Sequence, residues 1–344
     1  MIQAIPAAVT AAYQISSDAV FTQISSGLIN ATWLVQDVKQ RVVLQKLNRI
    51  FDISVNKKID QVTEFLSRNY PHTMRVIKTV NGDLEVLFEE DRWRCLSFVA
   101  GHTCTKLSGA EQAESVGKCL GEFHAKMRNF PDAALLPKSS VHNLHKHKSA
   151  LEASLRTHAE HSQAALVRPV AAQILTAIDT ISALPNYPDV AVHGDPKISN
   201  FIFNDDDRAI SLVDLDTIGQ GQLLFELGDA FRSWCNPAGE DTENTTFDVA
   251  TFEHSLKGYL EVQHIPFSEA QAQHLAGAIE TIYVELAARF CADALNESYF
   301  SWDDSLYASS CEHQLLRAKG QFKAAVSVSA QRQEIARIVV SLLA

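Results

Sequence analysis

Val192-His193-Gly194-Asp195-Pro196-Lys197-Ile198-Ser199-Asn200 is followed, eleven residues later, by Ser211-Leu212-Val213-Asp214-Leu215-Asp216-Thr217. Asp195 precedes Asn200 by five residues, and Asp214 lies fourteen beyond Asn200. Residues 190–192, 201–203 and 209–214 carry the short β-branched and aromatic runs of strands, and 204–208 is a polar turn. A tight loop therefore presents a carboxylate and an amide, and the end of a following hairpin returns a second carboxylate.

Outward from this segment the chain changes character twice. Toward the N-terminus, strand chemistry recurs at 20–24, 32–35, 41–47, 75–80, 84–88 and 92–99, with Asn81-Gly82 as a hairpin signal between the fourth and fifth runs. Residues 57–68 interrupt this pattern with Ile59, Val62, Phe65 and Leu66 on one helical face. The first hundred residues thus predict an antiparallel sheet with one helix inserted after its third strand. After Gly101 the pattern is helical. Residues 108–129 are amphipathic, with Ser108 and Glu111 in a capping-box arrangement. Helices are expected at 144–161 and 169–184, and nearly all of 224–344 is helix-compatible. The expected fold class is α+β: a small antiparallel β lobe with one helix (1–100), then a larger, mostly helical lobe (101–344).

Length and composition set the outer limits. The chain has 344 residues, which at roughly 150 per domain predicts two domains. Hydrophobic residues make up 46% and charged residues 21%, values of an ordinary globular chain. The formal net charge of −11 argues against a partner held by phosphate-backbone contacts, so no nucleic acid is expected. No window approaches the ~18 continuous apolar residues of a membrane span, and no secretory signal is evident. The six cysteines are scattered without a C-x-x-C pair, which points to a reducing compartment and a cytoplasmic location.

The spacing of Asp195, Asn200 and Asp214 suits transfer of a γ-phosphoryl group. That reaction asks little covalent chemistry of a protein; it asks for positioning and charge neutralisation. An aspartate accepts the acceptor hydroxyl's proton, an amide oxygen five residues along reaches Mg²⁺, and the hairpin returns a carboxylate to bridge Mg²⁺ and the phosphates. Lys197, two residues after the aspartate, is placed to offset charge on the transferring group.

These residues resemble the Brenner motif of the aminoglycoside phosphotransferase and choline kinase superfamily, whose members have a protein-kinase-like two-lobed fold. Four stretches are similar to the N-acetylhexosamine 1-kinase branch: Ser26 to Thr32, Val43 to Asn48, Val213 to Ile218 and Arg289 to Asp293. The resemblance implies an ATP- and Mg²⁺-dependent kinase acting on a sugar hydroxyl, here the anomeric hydroxyl of an N-acetylhexosamine. It implies Asp195 as catalytic base, Asn200 and Asp214 as metal ligands, and Asp216 near the acceptor sugar or a second metal. Lys46 would contact the α- and β-phosphates, and Arg289 and Tyr299 the sugar. The first lobe becomes the nucleotide-binding one and the second the catalytic and acceptor-binding one. The phosphate-covering turn at Ser25, Ser26 and Gly27 has one glycine where the G-x-G-x-x-G motif has three. The acid that pairs with Lys46 is either Asp60 or Glu64. Residues 96–99, with Ser97 and Val99, are expected to offer backbone groups to the adenine edge.

Other readings remain. An aminoglycoside or another amino-alcohol acceptor fits the same motif, and acids at 205–207 and 240–241 would then line its site. Val213-Asp214-Leu215-Asp216-Thr217 also resembles the nucleophile motif of haloacid-dehalogenase-type phosphatases, with Asp303-Asp304 as the late acidic pair, although that chemistry requires a parallel sheet. A nucleotide-binding pseudokinase scaffold is the third. His142, His145 and His147 read as surface histidines, and Asp229 as a brace for the loop at 193–200. The oligomeric state is open.

Overall fold

In the computed structural model, residues 5–24, 30–49, 54–68, 70, 72–139 and 141–344 are described. The chain divides into two compact units, Met1–Gly101 with Val213–Asp216, and His102–Leu212 with Thr217–Ala344.

The first unit opens with α1 (Ala7–Ala12), followed by β1 (Val20–Ile24), β2 (Ala31–Gln36), β3 (Arg41–Lys46), α2 (Val55–Ser67), β4 (Val76–Ile77), β5 (Val86–Phe88) and β6 (Asp91–Ser97). The strands form one sheet in the order β1-β2-β3-β6-β4, with β5 also on β6, and every pairing is antiparallel. The alternation Trp33, Val35 on β2 and Val42, Leu44 on β3 turns one face inward, where α1 closes it through Val9. Trp33 and Trp93 stack across this core with centroids 5.5 Å apart, worth about 0.5–1.5 kcal/mol beyond their buried area. The helix expected after the third strand is α2. The hairpin expected at Asn81-Gly82 is not formed: Gly82 does turn the chain at φ +88, but the flanking strands each pair with β6 rather than with each other. Trp93 and Cys95 on β6 offer both of them buried neighbours; a direct pairing would leave that surface uncovered.

The second unit is built on α3 (Ala110–Met127), α4 (Leu144–Thr157), α5 (Ala164–Thr180), β7 (Val190–Val192), β8 (Phe201–Phe203), β9 (Ala209–Leu212), β10 (Gly219–Gly221), α6 (Leu223–Trp234), α7 (Val249–Leu260), α8 (Glu269–Ala272), α9 (Leu275–Asn296), α10 (Ser310–Ala330) and α11 (Arg332–Leu343). Strands β8 and β9 form the expected hairpin, while β7 pairs with β10, a strand of two glycines and a glutamine that no propensity marks. The strand expected to run to residue 214 stops at Leu212, because Asp214 turns to φ +65, outside any strand region. Helix α9, nearly all buried, is the axis of this unit. The N-cap of α3 is Gly109, with no side-chain cap; Ser108 donates its N–H and its hydroxyl to Gln112 Oε1 instead, so the expected capping box of Ser108 and Glu111 is not formed. No helix among the described residues is long and apolar enough to cross a membrane. The six cysteines are free thiols.

Candidate active site

In the second unit, the loop between β7 and β8 carries His193 to Asn200. Gly194 sits at φ +86, and a Cβ there would stand 2.6 Å from the Thr217 carbonyl oxygen, so only glycine fits. The loop is pinned by α6. The His193 N–H donates to Glu226 Oε1 at 2.7 Å and the Gly194 N–H to Oε2 at 2.9 Å. Glu226 is buried and also meets His124 Nε2 at 3.3 Å, while His124 Nδ1 lies 2.9 Å from the Tyr259 hydroxyl. Burial pushes the Glu226 carboxyl up, but His124, His193 and the Gly194 amide outweigh it and hold it below its ordinary range. Further along, Trp234 Nε1 donates to the Pro196 carbonyl at 3.0 Å, and the Ile198 N–H to Ser233 Oγ at 2.9 Å.

This scaffold holds the Asp195 carboxylate half-buried. Lys197 Nζ lies 2.7 Å from its Oδ2, and Asn200 Nδ2 donates to the same oxygen at 3.2 Å and to the Asp195 carbonyl at 2.8 Å. Burial alone would raise the Asp195 carboxyl; Lys197, His193 and Arg232 together keep it lower than an ordinary aspartate. Because Asn200 spends its nitrogen on the loop, its amide oxygen is the end left to face a ligand. The expected brace, Asp229, is committed elsewhere: it binds Arg232 Nε at 2.7 Å, and Glu226, one helical turn before it, does the bracing.

Also in this unit, Arg289 on α9 lies half-buried with its guanidinium 5.8 Å from the Tyr299 ring and 5.4 Å from that of Phe300. Tyr299 is 53% exposed. Its turn is fixed by Asp293, whose carboxylate accepts from the N–H groups of Ser298, Tyr299 and Phe300 at 2.8–3.1 Å. The histidines read as surface groups divide. His145 is exposed, whereas the His142 side chain is nine-tenths buried with Nδ1 3.0 Å from Glu285, and His147 Nε2 binds the Val141 carbonyl. Buried Glu285 draws them inward, one turn before Arg289 on the same helix.

In the first unit, Lys46 ends β3 with its Nζ 3.3 Å from Asp91, not paired with either helix acid. Asp60 faces Lys78 and Glu64 faces Arg68, so the expected Asp60 or Glu64 partner is replaced by one on β6. Ser97 does not offer its N–H: that group donates to the Arg75 carbonyl at 2.8 Å, and its hydroxyl accepts from Arg75 N–H. Val99, beyond the strand's end, makes no backbone hydrogen bond among the described residues. Ser25, Ser26 and Gly27 lie outside the described residues.

Asp214 and Asp216 belong to this unit and differ sharply. Asp214 is half-buried in the left-handed region, a conformation that costs a non-glycine residue about 1 kcal/mol or more. Asp216 is buried and bound on both oxygens. Arg94 Nη1 and Nη2 lie 2.5 and 2.9 Å from them, and Asn30 Nδ2 donates at 2.7 Å. Both oxygens of Asp216 are thus committed to Arg94 and Asn30, so an acceptor or a second metal, the role expected for it, would compete with a buried guanidinium. An amide oxygen such as that of Asn200 and a carboxylate such as that of Asp214 are each, by type, hard oxygen donors of the kind a Mg²⁺-class cation takes.

Residues 20–263 match the model of the phosphotransferase enzyme family (APH). The chain belongs to this family. It is thus a phosphotransferase. Among solved structures, it is similar to amicoumacin kinase hAmiN in complex with AMP-PNP, Ca²⁺ and Ami, at TM-score 0.62 and 13% identity over 91% of this chain and 90% of that one. It is similar to the spectinomycin phosphotransferase APH(9)-Ia, bound to ADP and spectinomycin, at 0.63 and 13% over 95% and 97%. A choline kinase from Cryptosporidium parvum Iowa II aligns at 0.58 and 12% over 95% and 94%. These likenesses establish the phosphotransferase's kinase-like fold. They agree with the antiparallel sheets, which rule out the parallel sheet that the phosphatase reading requires.

Proposed function

We propose that the phosphotransferase transfers the γ-phosphoryl group of ATP, with Mg²⁺, to a sugar hydroxyl, and that its acceptor is an N-acetylhexosamine phosphorylated at the anomeric hydroxyl. The observation that carries the kinase reading is the Asp195 carboxylate, kept charged by Lys197 and oriented by Asn200 on a loop bolted to Glu226. Asp195 takes the acceptor's proton and aims its oxygen. Lys197 neutralises the group being moved. Lys46, with Ser25, Ser26 and Gly27, holds the phosphates, and Val99 serves the adenine edge. Asn200 and Asp214 hold the cation, which when bound offsets charge on the β- and γ-phosphates.

Arg289 and Tyr299 support the sugar reading. A guanidinium beside two aromatic rings suits a neutral, hydroxyl-rich ring and repels a polycation. Three of the five acids that would line an aminoglycoside site are engaged, Glu240 by Arg232, Asp241 by Arg317 and His313, and Asp207 by His102, while Asp205 and Asp206 are exposed on the hairpin turn. The amino-bearing acceptor stays as the second reading, because structures of similar fold are named for spectinomycin, choline and aminopropanol. ADP release measured with GlcNAc, GalNAc, glucose, kanamycin and choline decides between them. Turnover with the two N-acetylhexosamines is the expected result; turnover confined to kanamycin or choline overturns the sugar reading.

A further inference from the structure

Around Asp216 the first unit closes a ring of hydrogen bonds, buried at Arg94, Asp216, Asn30 and Thr32 and half-buried at Gln45. Asp216 accepts from Asn30, the Asn30 carbonyl accepts from Thr32 Oγ1 at 3.2 Å, and Thr32 Oγ1 in turn accepts from Gln45 Nε2 at 3.1 Å. Gln45 Oε1 then accepts from Arg94 Nε at 2.8 Å, and Arg94 returns to Asp216 through both terminal nitrogens. Asn30 is used at its other end as well, with Oδ1 accepting from the Asn48 N–H at 2.9 Å. The Arg94 side chain is completely buried and that of Asp216 is 2% exposed.

Two of the residues assigned to the nucleotide and its cation stand next to this ring in the chain: Lys46 follows Gln45, and Asp214 precedes Asp216 by two residues. A buried ion pair adds little net stability, because desolvation of both charges offsets their attraction. What it does add is a fixed geometry, and Asp214 needs one, since its left-handed backbone is held against its own preference. We propose that Arg94, with Asn30 and Asp216, is a register clamp: a positioning residue that touches neither nucleotide nor acceptor and sets Asp214 relative to Lys46. The clamp rests on the nucleotide and metal assignment proposed above.

The full-length chain, Arg94→Lys and the double variant Arg94→Met/Asp216→Leu are compared by thermal shift with ADP alone and with ADP plus Mg²⁺. The Mg²⁺ dependence of turnover and the acceptor KM are measured in parallel. The parent gains a further shift when Mg²⁺ joins ADP. In Arg94→Lys that gain falls by about half, and the half-saturating Mg²⁺ concentration rises about tenfold, as for other groups that orient a metal ligand, with acceptor KM unchanged. The double variant, which replaces the pair by apolar groups that can keep the fold, loses the gain altogether. Variants whose Mg²⁺ gain and requirement equal the parent's overturn the clamp, whatever their Tm. A parent chain without a Mg²⁺-dependent gain overturns the nucleotide assignment and the clamp together, so the two failures are told apart.

Discussion

Gly194 and Asp195 stand side by side and fail differently when changed. Asp195→Asn keeps the side chain's shape and its place beside Lys197 and removes the proton acceptor. Turnover is expected to fall about 10²–10⁴-fold while ATP still raises the melting temperature, an outcome that separates an enzyme from a nucleotide-binding scaffold. Gly194→Ala drives a methyl group at the Thr217 carbonyl from a backbone already at φ +86. Its expected cost is about 1–3 kcal/mol by denaturant titration, with turnover falling alongside, because the loop must shift to admit it. A third case is the buried His142, whose pKa lies above the ordinary imidazole range: burial lowers it, but Glu285, with Asp229 and Glu226 behind, outweighs that. A raised histidine contributes stability below its unfolded pKa and loses it as pH climbs through the folded value. Glu285→Gln should therefore cost more at pH ~6 than at pH ~9, up to about 3–5 kcal/mol, read from denaturation midpoints at both.

At the scale of the element, α6 does for the loop what its sequence only half discloses. The glutamate and aspartate at 226 and 229 lie one turn apart, and periodicity alone does not say which faces the loop. Asp229 reads as the brace because Glu226 lacks a local signal; the assignment turns on how α6 rotates against β7, a long-range packing choice. The same logic explains the other misreadings. His193 to Asn200 and Asp214 are legible because a local spacing defines them. Arg94, Asn30 and the true partner of Lys46 are not, since their roles arise from strand register across the sheet. Glu226 offers a direct check. A lowered carboxyl contributes stability above its unfolded pKa and loses it as pH falls through the folded value. The difference between the parent and Glu226→Gln should therefore be full near pH 7 and shrink below pH ~4.5. Glu226→Ala, which strands the His193 and Gly194 amides in the interior, is expected to cost about 2–5 kcal/mol.

For the whole molecule, the division into units does not follow the order of synthesis. Residues 213–216 are covalently part of the second half and structurally part of the first. A fragment ending at Gly101 would bury Arg94 without its counter-charge, a loss of about 3–5 kcal/mol that a domain of this size rarely tolerates. Expressed alone, it is expected to show no cooperative unfolding transition by circular dichroism. In the cell the consequence is one of timing. On a ribosome adding about 5–20 residues per second, the 115 residues between Gly101 and Asp216 take about 6–23 seconds, during which the nascent sheet waits with an unneutralised guanidinium at its centre. Slow stretches of translation or a chaperone holding that interval open would therefore act on the first unit, although the missing piece is encoded far downstream of it.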